Sequence, residues 1–452
     1  MKIIADLHLH SKYSRAVSSQ MTIPQIAFWA AKKGINLVGT GDWTHPLWLR
    51  ELKESLGEAG EGIYQLKSQI SNVKCQMSKK VYFILATEIS SIYSQGGKVR
   101  RIHNLVLAPS FAVVERINEK LRHVGVNLFA DGRPTTGLSC SQLCDLVFSV
   151  DKDCLIIPCH AWTPWFSLYG ANSGFDSIDE CFGKYADCIY AVETGLSSDP
   201  AMNWRIKELD NRAIVSFSDA HSPQKLGREA TVFAFGENKI PNSKFQIPNF
   251  SFKTIVEAIK REQIAYTIEF YPEEGKYHYT GHRNCGVRQS PEETRRLGEI
   301  CPICGKRLTV GVMHRVEKLA GRSVKRQITK DKLKVNWIKN ETQQTRPFYV
   351  MLVPLMEILA EAMNASISSQ NVLNEYNKLT DIFGSEFGVL LEAPVEEIAK
   401  ISGRKVAEGI EKVRRGDIVV EPGYDGVFGT VKIWPESKDV AKTEEQGQMS
   451  LF

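Results

Sequence analysis

Seven short apolar runs recur through the first half of the chain, and each carries a histidine, aspartate or glutamate at or near one end. They are Ile-Ile-Ala-Asp6-Leu-His8-Leu-His10, Asn36-Leu-Val-Gly-Thr-Gly-Asp42-Trp-Thr-His45, Tyr82-Phe-Ile-Leu-Ala-Thr-Glu88, Ile102-His103-Asn-Leu-Val-Leu, Leu155-Ile-Ile-Pro-Cys-His160, Ile189-Tyr-Ala-Val-Glu193 and Ala213-Ile-Val-Ser-Phe-Ser-Asp219-Ala-His221. In six of them the polar group closes the run, whereas His103 comes near the start of its own. Short apolar runs bounded by turn residues read as strands buried on both faces. Between them lie longer amphipathic or polar segments, of which residues 23–33 form the clearest helix. Thr22 stands as cap, Pro24 lies in the first turn and Gly34 follows the last periodic residue. Strands alternating with helices predict a parallel βα arrangement, and seven are enough to close a barrel whose reactive residues collect at the carboxyl ends of the strands.

Downstream the pattern changes. Residues 236–252, rich in Pro, Gly, Asn and Ser, read as a connector that ends a first unit, 1–252. One helix and a short strand over 253–270 extend that unit to about 270. A cysteine-bearing module occupies 271–322, a polar linker 323–346 and a mostly helical domain 347–433. Within the last, 393–416 has a weak likeness to a helix-hairpin-helix but lacks its glycine pattern, so an ordinary helical pair is expected. Residues 434–452 read as a solvated, flexible tail except for the last seven. At 452 residues the chain exceeds one hydrophobic core, so several domains are expected. No window approaches the roughly 18 apolar residues of a membrane span, and no signal peptide precedes the first strand. A cytoplasmic protein with no membrane partner is expected, its ten cysteines serving as thiols and metal ligands rather than disulfides.

Charge sharpens this division. Residues 276–346 hold 17 Lys and Arg against 6 Asp and Glu, in a chain whose formal net charge is only +5. A local basic surface of this kind suits a phosphate backbone, since each neutralised phosphate releases counterions.

Six of the ten histidines fall in the strand-end runs, together with Asp42, Glu88, Glu193 and Asp219. His8 and His10, two apart on a strand, leave on one face and can reach one ion, and Asp219 with His221 repeats the device. Imidazole nitrogens and carboxylate oxygens suit zinc, manganese or iron, and a carboxylate such as Glu88 can bridge two ions. Two ions together stabilise the attacking and leaving oxygens of a phosphoester. These residues resemble the polymerase and histidinol phosphatase (PHP) superfamily, in which a distorted seven-stranded βα barrel carries two or three metals. Asp6-Leu-His8-Leu-His10-Ser matches its first motif and Asp219-Ala-His221 its last. The resemblance implies one ion held by His8, His10, Glu88 and Asp219, and a neighbour held by Glu88, His103 and His160, as Zn²⁺, Mn²⁺ or Mg²⁺. A third ion would use His221 with Asp42 or His45. Two departures bear on it: Trp43 follows Asp42 where the superfamily often has Thr-Asp-His, and Arg15 stands near a usual aspartate.

His282-x-x-Cys285, 15 residues, then Cys301-Pro-Ile-Cys304-Gly is a pair of ligand knuckles with tetrahedral zinc spacing, and His278 is the rival for the histidine position. Two roles are expected of the module: to present Arg283, Arg288, Arg295, Arg296 and Arg307 to nucleic acid, or to clamp domains together. The order of parts, with Thr40-Gly-Asp-Trp-Thr-His-Pro-Leu-Trp48, Trp162-Thr-Pro-Trp-Phe-Ser-Leu-Tyr-Gly170 and Glu193-Thr-Gly-Leu-Ser-Ser-Asp-Pro200, is similar to the endonuclease Q family. That resemblance implies cleavage of damaged DNA 5′ to deaminated bases (uracil, hypoxanthine, xanthine) and abasic sites. A flipped base needs an aromatic wall, for which Trp162, Trp165, Phe166, Tyr169 and Asn172, following His160, are the candidates, with Glu193 beside them. The end, Gln446-Gly-Gln-Met449-Ser-Leu451-Phe452, resembles the peptide with which replication proteins bind the sliding clamp.

Together these point to a nucleoid-associated, metal-dependent lesion endonuclease with a PHP-type barrel, a structural zinc module and a helical domain. Asp219, Glu88, His8 and His10 form its catalytic core. The rival readings are a PHP-type small-molecule phosphomonoesterase, which has no use for a basic module, and a non-catalytic clamp-tethered DNA adaptor, which would need vestigial ligands.

Overall fold

The computed structural model describes residues 2–67, 80–235 and 250–435. All seven runs are strands: Lys2–Asp6, Leu37–Gly39, Tyr82–Gln95, Lys98–Ala108, Leu155–Pro158, Ala191–Glu193 and Ala213–Val215. Ala5 faces Leu37 and Leu37 faces Tyr82 in parallel ladders, and Ala191–Glu193 runs parallel to Ala213–Val215.

The uniformly parallel arrangement fails at one place. Tyr82–Gln95 and Lys98–Ala108 form a long antiparallel hairpin, with Leu155–Pro158 antiparallel to its second arm. Gly96 and Gly97, at φ 61° and 72°, close it in two residues with no room for a crossover helix. This reversal accounts for His103. A strand running the other way reaches the same end of the sheet at its beginning, and His103 lies opposite Ser90, two residues beyond Glu88.

Side chains from the strands meet in a buried cluster that includes Ala5, Leu37, Ile84, Leu105, Ile157 and Val215, closed by Ile255 and Ile259 of the helix Phe252–Lys260. Each fully buried aliphatic side chain contributes about 2 kcal/mol. Ile23–Lys33 is helical as expected, and Gly34 ends it at φ 94°, its N–H reaching Ala30 O and Ala31 O. The Thr22 hydroxyl makes no capping bond, so Pro24 and the buried apolar face define that start.

The first unit does not stop at 252. Ile264–Glu269 pairs with Ala230–Ala234 on one side and with Phe348–Met351 on the other. The segment 323–346, read from its polarity as a linker, instead carries the hairpin Arg326–Lys330 and Asn336–Asn340, which joins the same sheet where Ile338 faces Tyr349. Its charge misled because an edge strand keeps one side in water, and Arg326 and Lys330 are exposed there. Buried Val335 and Ile338 supply its apolar contacts.

The cysteine-bearing segment forms a small hairpin, Thr280–His282 with Val287–Gln289, and two helices, Pro291–Leu297 and Val312–Leu319. Beyond it come the helices Leu355–Ala362, Gln370–Ile382, Val395–Ser402 and Arg404–Arg414, the last two an ordinary pair hinged at Gly403 with φ 86°. The chain then returns. Tyr279 N donates to Gly423 O at 2.9 Å and Gly426 N to Lys276 O at 2.9 Å, so the turn of the hairpin Val419–Glu421 and Thr430–Lys432 docks on the cysteine module. Trp434, expected to open the flexible tail, is anchored: its backbone N–H donates to Glu361 and its indole N–H to Glu408. The clamp-type residues Gln446, Met449, Leu451 and Phe452 lie outside the described residues. Among the described residues no helix is long and apolar enough to cross a membrane.

Candidate metal centre

The strand Lys2–Asp6 continues past its last ladder residue, with Leu9 bridging Ala220, and this delivers His8 and His10 to the carboxyl end of the sheet. Three other strand-end residues turn sharply: Asp42, His160 and Asp219 hold φ of 46°, 32° and 46°. Such left-handed backbone costs roughly 1–3 kcal/mol per non-glycine residue and concentrates where a side chain has to be aimed.

The aim converges on Glu88. Its carboxylate lies 3.8 Å from His8 Nε2 and 3.3 Å from His10 Nε2 on one side, and 2.6 Å from His103 Nδ1 and 3.1 Å from His160 Nε2 on the other. Asp219 Oδ1 lies 3.7 Å from His8 Nε2 and 3.2 Å from His10 Nε2. Ligand atoms about 2.1 Å from a tetrahedral ion lie about 3.4 Å from one another, so both sets have the spacing of a coordination shell. His8, His10 and Asp219 form one such group, and Glu88, His103 and His160 another.

Unpartnered atoms test the fit. His8 Nε2, His10 Nε2 and Asp219 Oδ1 are buried without a hydrogen-bond partner, an arrangement that disfavours folding unless a cation completes it. Their opposite ring nitrogens are occupied: His8 Nδ1 by Glu193 at 2.9 and 3.0 Å, His10 Nδ1 by Asp42 at 3.0 Å. An Nδ1–H held by a carboxylate leaves the Nε2 lone pair facing the centre. Burial alone would lower His8, but Glu193 and Asp219 outweigh it and push the imidazole up to about 9. Burial likewise opposes ionisation of Glu88, yet the surrounding imidazoles and the Arg133 guanidinium hold its carboxyl well below the usual range. Burial pushes His103 down to about 4, against the pull of the Glu88 carboxylate beside it. The centre is thus an enclosed excess of carboxylate around neutralisable imidazoles, open to solvent mainly at the Asp219 side chain, which is 24% exposed.

Not every predicted ligand faces this point. Asp42 accepts from Ser11 N, Ser11 Oγ and Ser14 Oγ as well as from His10, so its oxygens are spent on orienting the first motif. His45 is stacked on Tyr13 with ring centroids 4.5 Å apart and belongs to neither group. His221 bonds through Nδ1 to Asp219 O, its ring 4.9 Å from that of His10. Glu193, expected beside the substrate, is fully buried and instead bonds His8 and the His160 backbone N–H.

The aromatic loop divides in the same way. Trp162 and Tyr169 are fully buried, bonded to Asn203 and Glu208, and serve the packing of the loop rather than a substrate wall. Trp165 and Phe166 are half-buried and Asn172 is exposed; Phe166, at φ 63°, packs on His103 at 4.8 Å. Trp165 and Asn172 line a hollow of about 300 Å³ with Lys98, Val99, Arg101 and Ser173.

Reading by strand ends missed Arg133 and Cys159. Arg133 sits on a loop after no apolar run, yet donates to Glu88 Oε2 at 3.0 Å. Cys159 lies with His8 and Glu88, and burial pushes its thiol well up, which keeps it protonated. Its position beside His160 was the only available signal.

In the cysteine module the donor atoms of His282, Cys285, Cys301 and Cys304 all lie within 4.8 Å of one another. His278 is excluded from this set, buried and stacked against Tyr279. Burial works against the Cys301 thiolate, but the backbone N–H groups of Cys304 and Ile303 bring the thiol down to about 6. Arg283, Arg288, Arg295, Arg296 and Arg307 are exposed, although Arg295 pairs with Glu317 and Arg307 with Glu299. Other basic residues fasten this region to loops of the first unit. Arg315 donates to Tyr169 O, Phe175 O and Asp176, and Arg322 to Trp204 O and Asp210.

Comparison with known proteins bears on the whole chain. Residues 354–417 match the family model of the MJ0043 C-terminal domain. The chain is 32% identical over 287 residues to MJ0043 of Methanocaldococcus jannaschii, a match covering 63% of this chain and 33% of that protein, so it spans about a third of that relative's length. It is 29% identical over 451 residues to YqxK of Bacillus subtilis, covering 95% and 99% of the two. Two solved structures are similar at 32% identity. The lesion-specific endonuclease PfuEndoQ from Pyrococcus furiosus has a TM-score of 0.76, with 99% of this chain and 100% of that one covered. An endonuclease Q complex with a 27-mer duplex carrying an abasic lesion at the active site has a TM-score of 0.77, with 98% and 99% covered. Identity at this level over the full length of both chains means that the protein belongs to the endonuclease Q family.

Proposed function

We propose that this chain is a metal-dependent endonuclease that hydrolyses the DNA phosphodiester 5′ to deaminated bases, uracil, hypoxanthine and xanthine, and to abasic sites. The observation that carries the reading is the unpartnered trio His8 Nε2, His10 Nε2 and Asp219 Oδ1 beside the shared Glu88, in a family with a member solved on an abasic duplex. His8, His10, Glu88 and Asp219 would hold one divalent ion and Glu88, His103 and His160 a second, on a seven-stranded barrel of the PHP type. Bound there, such ions supply charge to the attacking and leaving oxygens of the phosphoester.

The protein's own contribution is orientation. Glu193 and Asp42 lock the tautomers of His8 and His10, and the turn at His160 places its ring beside His103, with Nε2 3.3 Å from His103 Nδ1. Arg133, 25% exposed on the open side, can leave Glu88 to meet a phosphate oxygen. Trp165, Phe166 and Asn172 form the wall for an extruded base. His282, Cys285, Cys301 and Cys304 hold a structural zinc that presents the exposed arginines to the duplex. The terminal Gln446, Met449, Leu451 and Phe452 bind a sliding clamp, and the protein works in the cytoplasm on the nucleoid.

The test is a nicking assay on duplexes with a single deoxyuridine, deoxyinosine or abasic site, with Mg²⁺, Mn²⁺ or Zn²⁺ added. Incision 5′ to the lesion is expected from the wild type, and none from Asp219→Asn with its thermal midpoint preserved. Full activity in that variant would remove the metal mechanism. No lesion-dependent incision with any ion would leave the phosphomonoesterase or the DNA adaptor.

A further inference from the structure

The segment 127–134 crosses the rim of the metal centre. Its second half is braced. Gly132 N donates to Tyr13 O at 3.0 Å, Thr44 Oγ1 donates to Gly132 O at 2.9 Å, Ser90 N donates to Pro134 O at 2.9 Å, and Arg133 reaches Glu88. A Cβ on Gly132 would stand 2.3 Å from Asp42 Oδ2, so only glycine lets the backbone pass this close to the first motif. The first half is braced too: Leu128 is buried at 2%, and the Asn127 side chain accepts from Phe129 N at 3.1 Å.

Between these anchors Phe129 projects outward, 65% exposed, its ring 5.9 Å from that of His45. Leaving a phenyl ring in water forgoes about 2 kcal/mol of burial, and a backbone pinned on both sides cannot fold it back. A rigid, bare aromatic ring at the rim of a phosphoester centre matches one kind of surface well: the apolar, planar gap left when a nucleotide leaves a base stack. Flexible surface phenylalanines are common, but this one is aimed by the same loop that delivers Arg133 to Glu88. The neighbouring rim residue Arg15 is held to Asp131 through its backbone N–H and, at 3.7 Å, through its guanidinium, and with its side chain 82% exposed it can exchange that carboxylate for an adjoining phosphate.

Resting on the lesion-endonuclease reading, we propose that Phe129 enters the duplex beside the damaged nucleotide and fills the space it vacates. Phe129 is then a residue that determines action on paired as against single-stranded DNA.

The test compares the full-length, metal-loaded wild type with Phe129→Ala and Phe129→Trp. Single-turnover incision is followed on one deoxyuridine strand, alone and in duplex. Phe129→Ala is expected to slow duplex incision about tenfold and to leave single-strand incision within about twofold, since only the duplex has to be opened. Phe129→Trp restores the duplex rate, and both variants keep the wild-type thermal midpoint because the side chain is exposed. A second readout needs no turnover. In an Asp219→Asn background, 2-aminopurine beside the lesion should brighten on binding with Phe129 and stay dark with alanine. Full duplex incision by Phe129→Ala, or equal slowing on both substrates, overturns the wedge while leaving the endonuclease reading standing. A wild type that cuts neither substrate with any divalent ion overturns both.

Discussion

Glu193 offers the sharpest prediction, because strand-end position alone placed it with the substrate residues whereas its contacts make it a support for both ligand groups. It is fully buried and accepts three bonds, two from His8 Nδ1 at 2.9 and 3.0 Å and one from His160 N at 2.8 Å. Glu193→Gln keeps the shape but replaces one acceptor oxygen by a donor amide. With its oxygen in the Oε2 place the glutamine can still accept from both His8 Nδ1 and His160 N, but the NH₂ group in the Oε1 place meets the His8 N–H. The variant loses one charge-assisted bond, worth about 1.5–3 kcal/mol. It also releases the tautomer of His8, whose Nε2 faces the candidate metal centre. If that loss falls on the metal-bound state, divalent-ion affinity should drop by about 10- to 100-fold, the range typical of partners behind a metal-binding histidine. Competition against a chelator of known affinity, with metal counted after gel filtration, measures this directly. Lesion incision at limiting metal should fall in parallel and recover when metal is raised. Unchanged affinity, or a loss of incision that excess metal does not recover, would refute the argument that Glu193 acts through His8 and His160.

Three further outcomes are expected. Cys301→Ser should lower the zinc count by one and weaken duplex binding, because the module presents the arginines, as read by elemental analysis beside a DNA-binding assay; an unchanged count would exclude the knuckle as a zinc site. Glu269 is fully buried, and burial raises its carboxyl from 4.5 to about 8, with Ser216 as its nearest donor. Its folded form therefore keeps a proton that the unfolded chain releases above about pH 4.5. Stability should fall as pH rises between those values, by on the order of 5 kcal/mol for this group. Urea unfolding of Glu269→Gln should show that decline largely removed, and an identical pH profile would contradict the assignment. Gly132→Ala should lower both stability and incision, because its Cβ falls on Asp42 and Ser14; a variant with wild-type values would mean that the loop can shift freely.

The strand-end chemistry was legible because it is local. A period of two puts His8 and His10 on one face wherever the strand goes, and a knuckle of Cys301, Cys304 and Gly305 closes on itself within one turn. The helix Ile23–Lys33 was legible for the same reason, since Pro24 and Gly34 act on their own backbone. The segment 323–346 was not, because an exposed edge strand and a polar linker have the same composition.

Sequence by itself thus determined which residues could bind metal and the end of the strands at which they gather. Tertiary structure decided which of them face the candidate metal centre. Glu88 and Glu193 both close apolar runs, yet the first stands between two groups of imidazoles and the second behind them. Trp162 and Phe166 are four residues apart, one buried in the loop's own packing and one against His103. The physical reason is that the direction of a side chain at a strand end follows from the hand of its turn and the direction of its neighbour. The antiparallel hairpin that reverses His103 is closed locally at Gly96 and Gly97, whereas the left-handed turns at Asp42 and His160 are held from far along the chain, by Ser11 and Ser14 and by Glu193. Arg133 and Phe129 belong to the same class, brought to the rim by a loop whose anchors lie on three other segments.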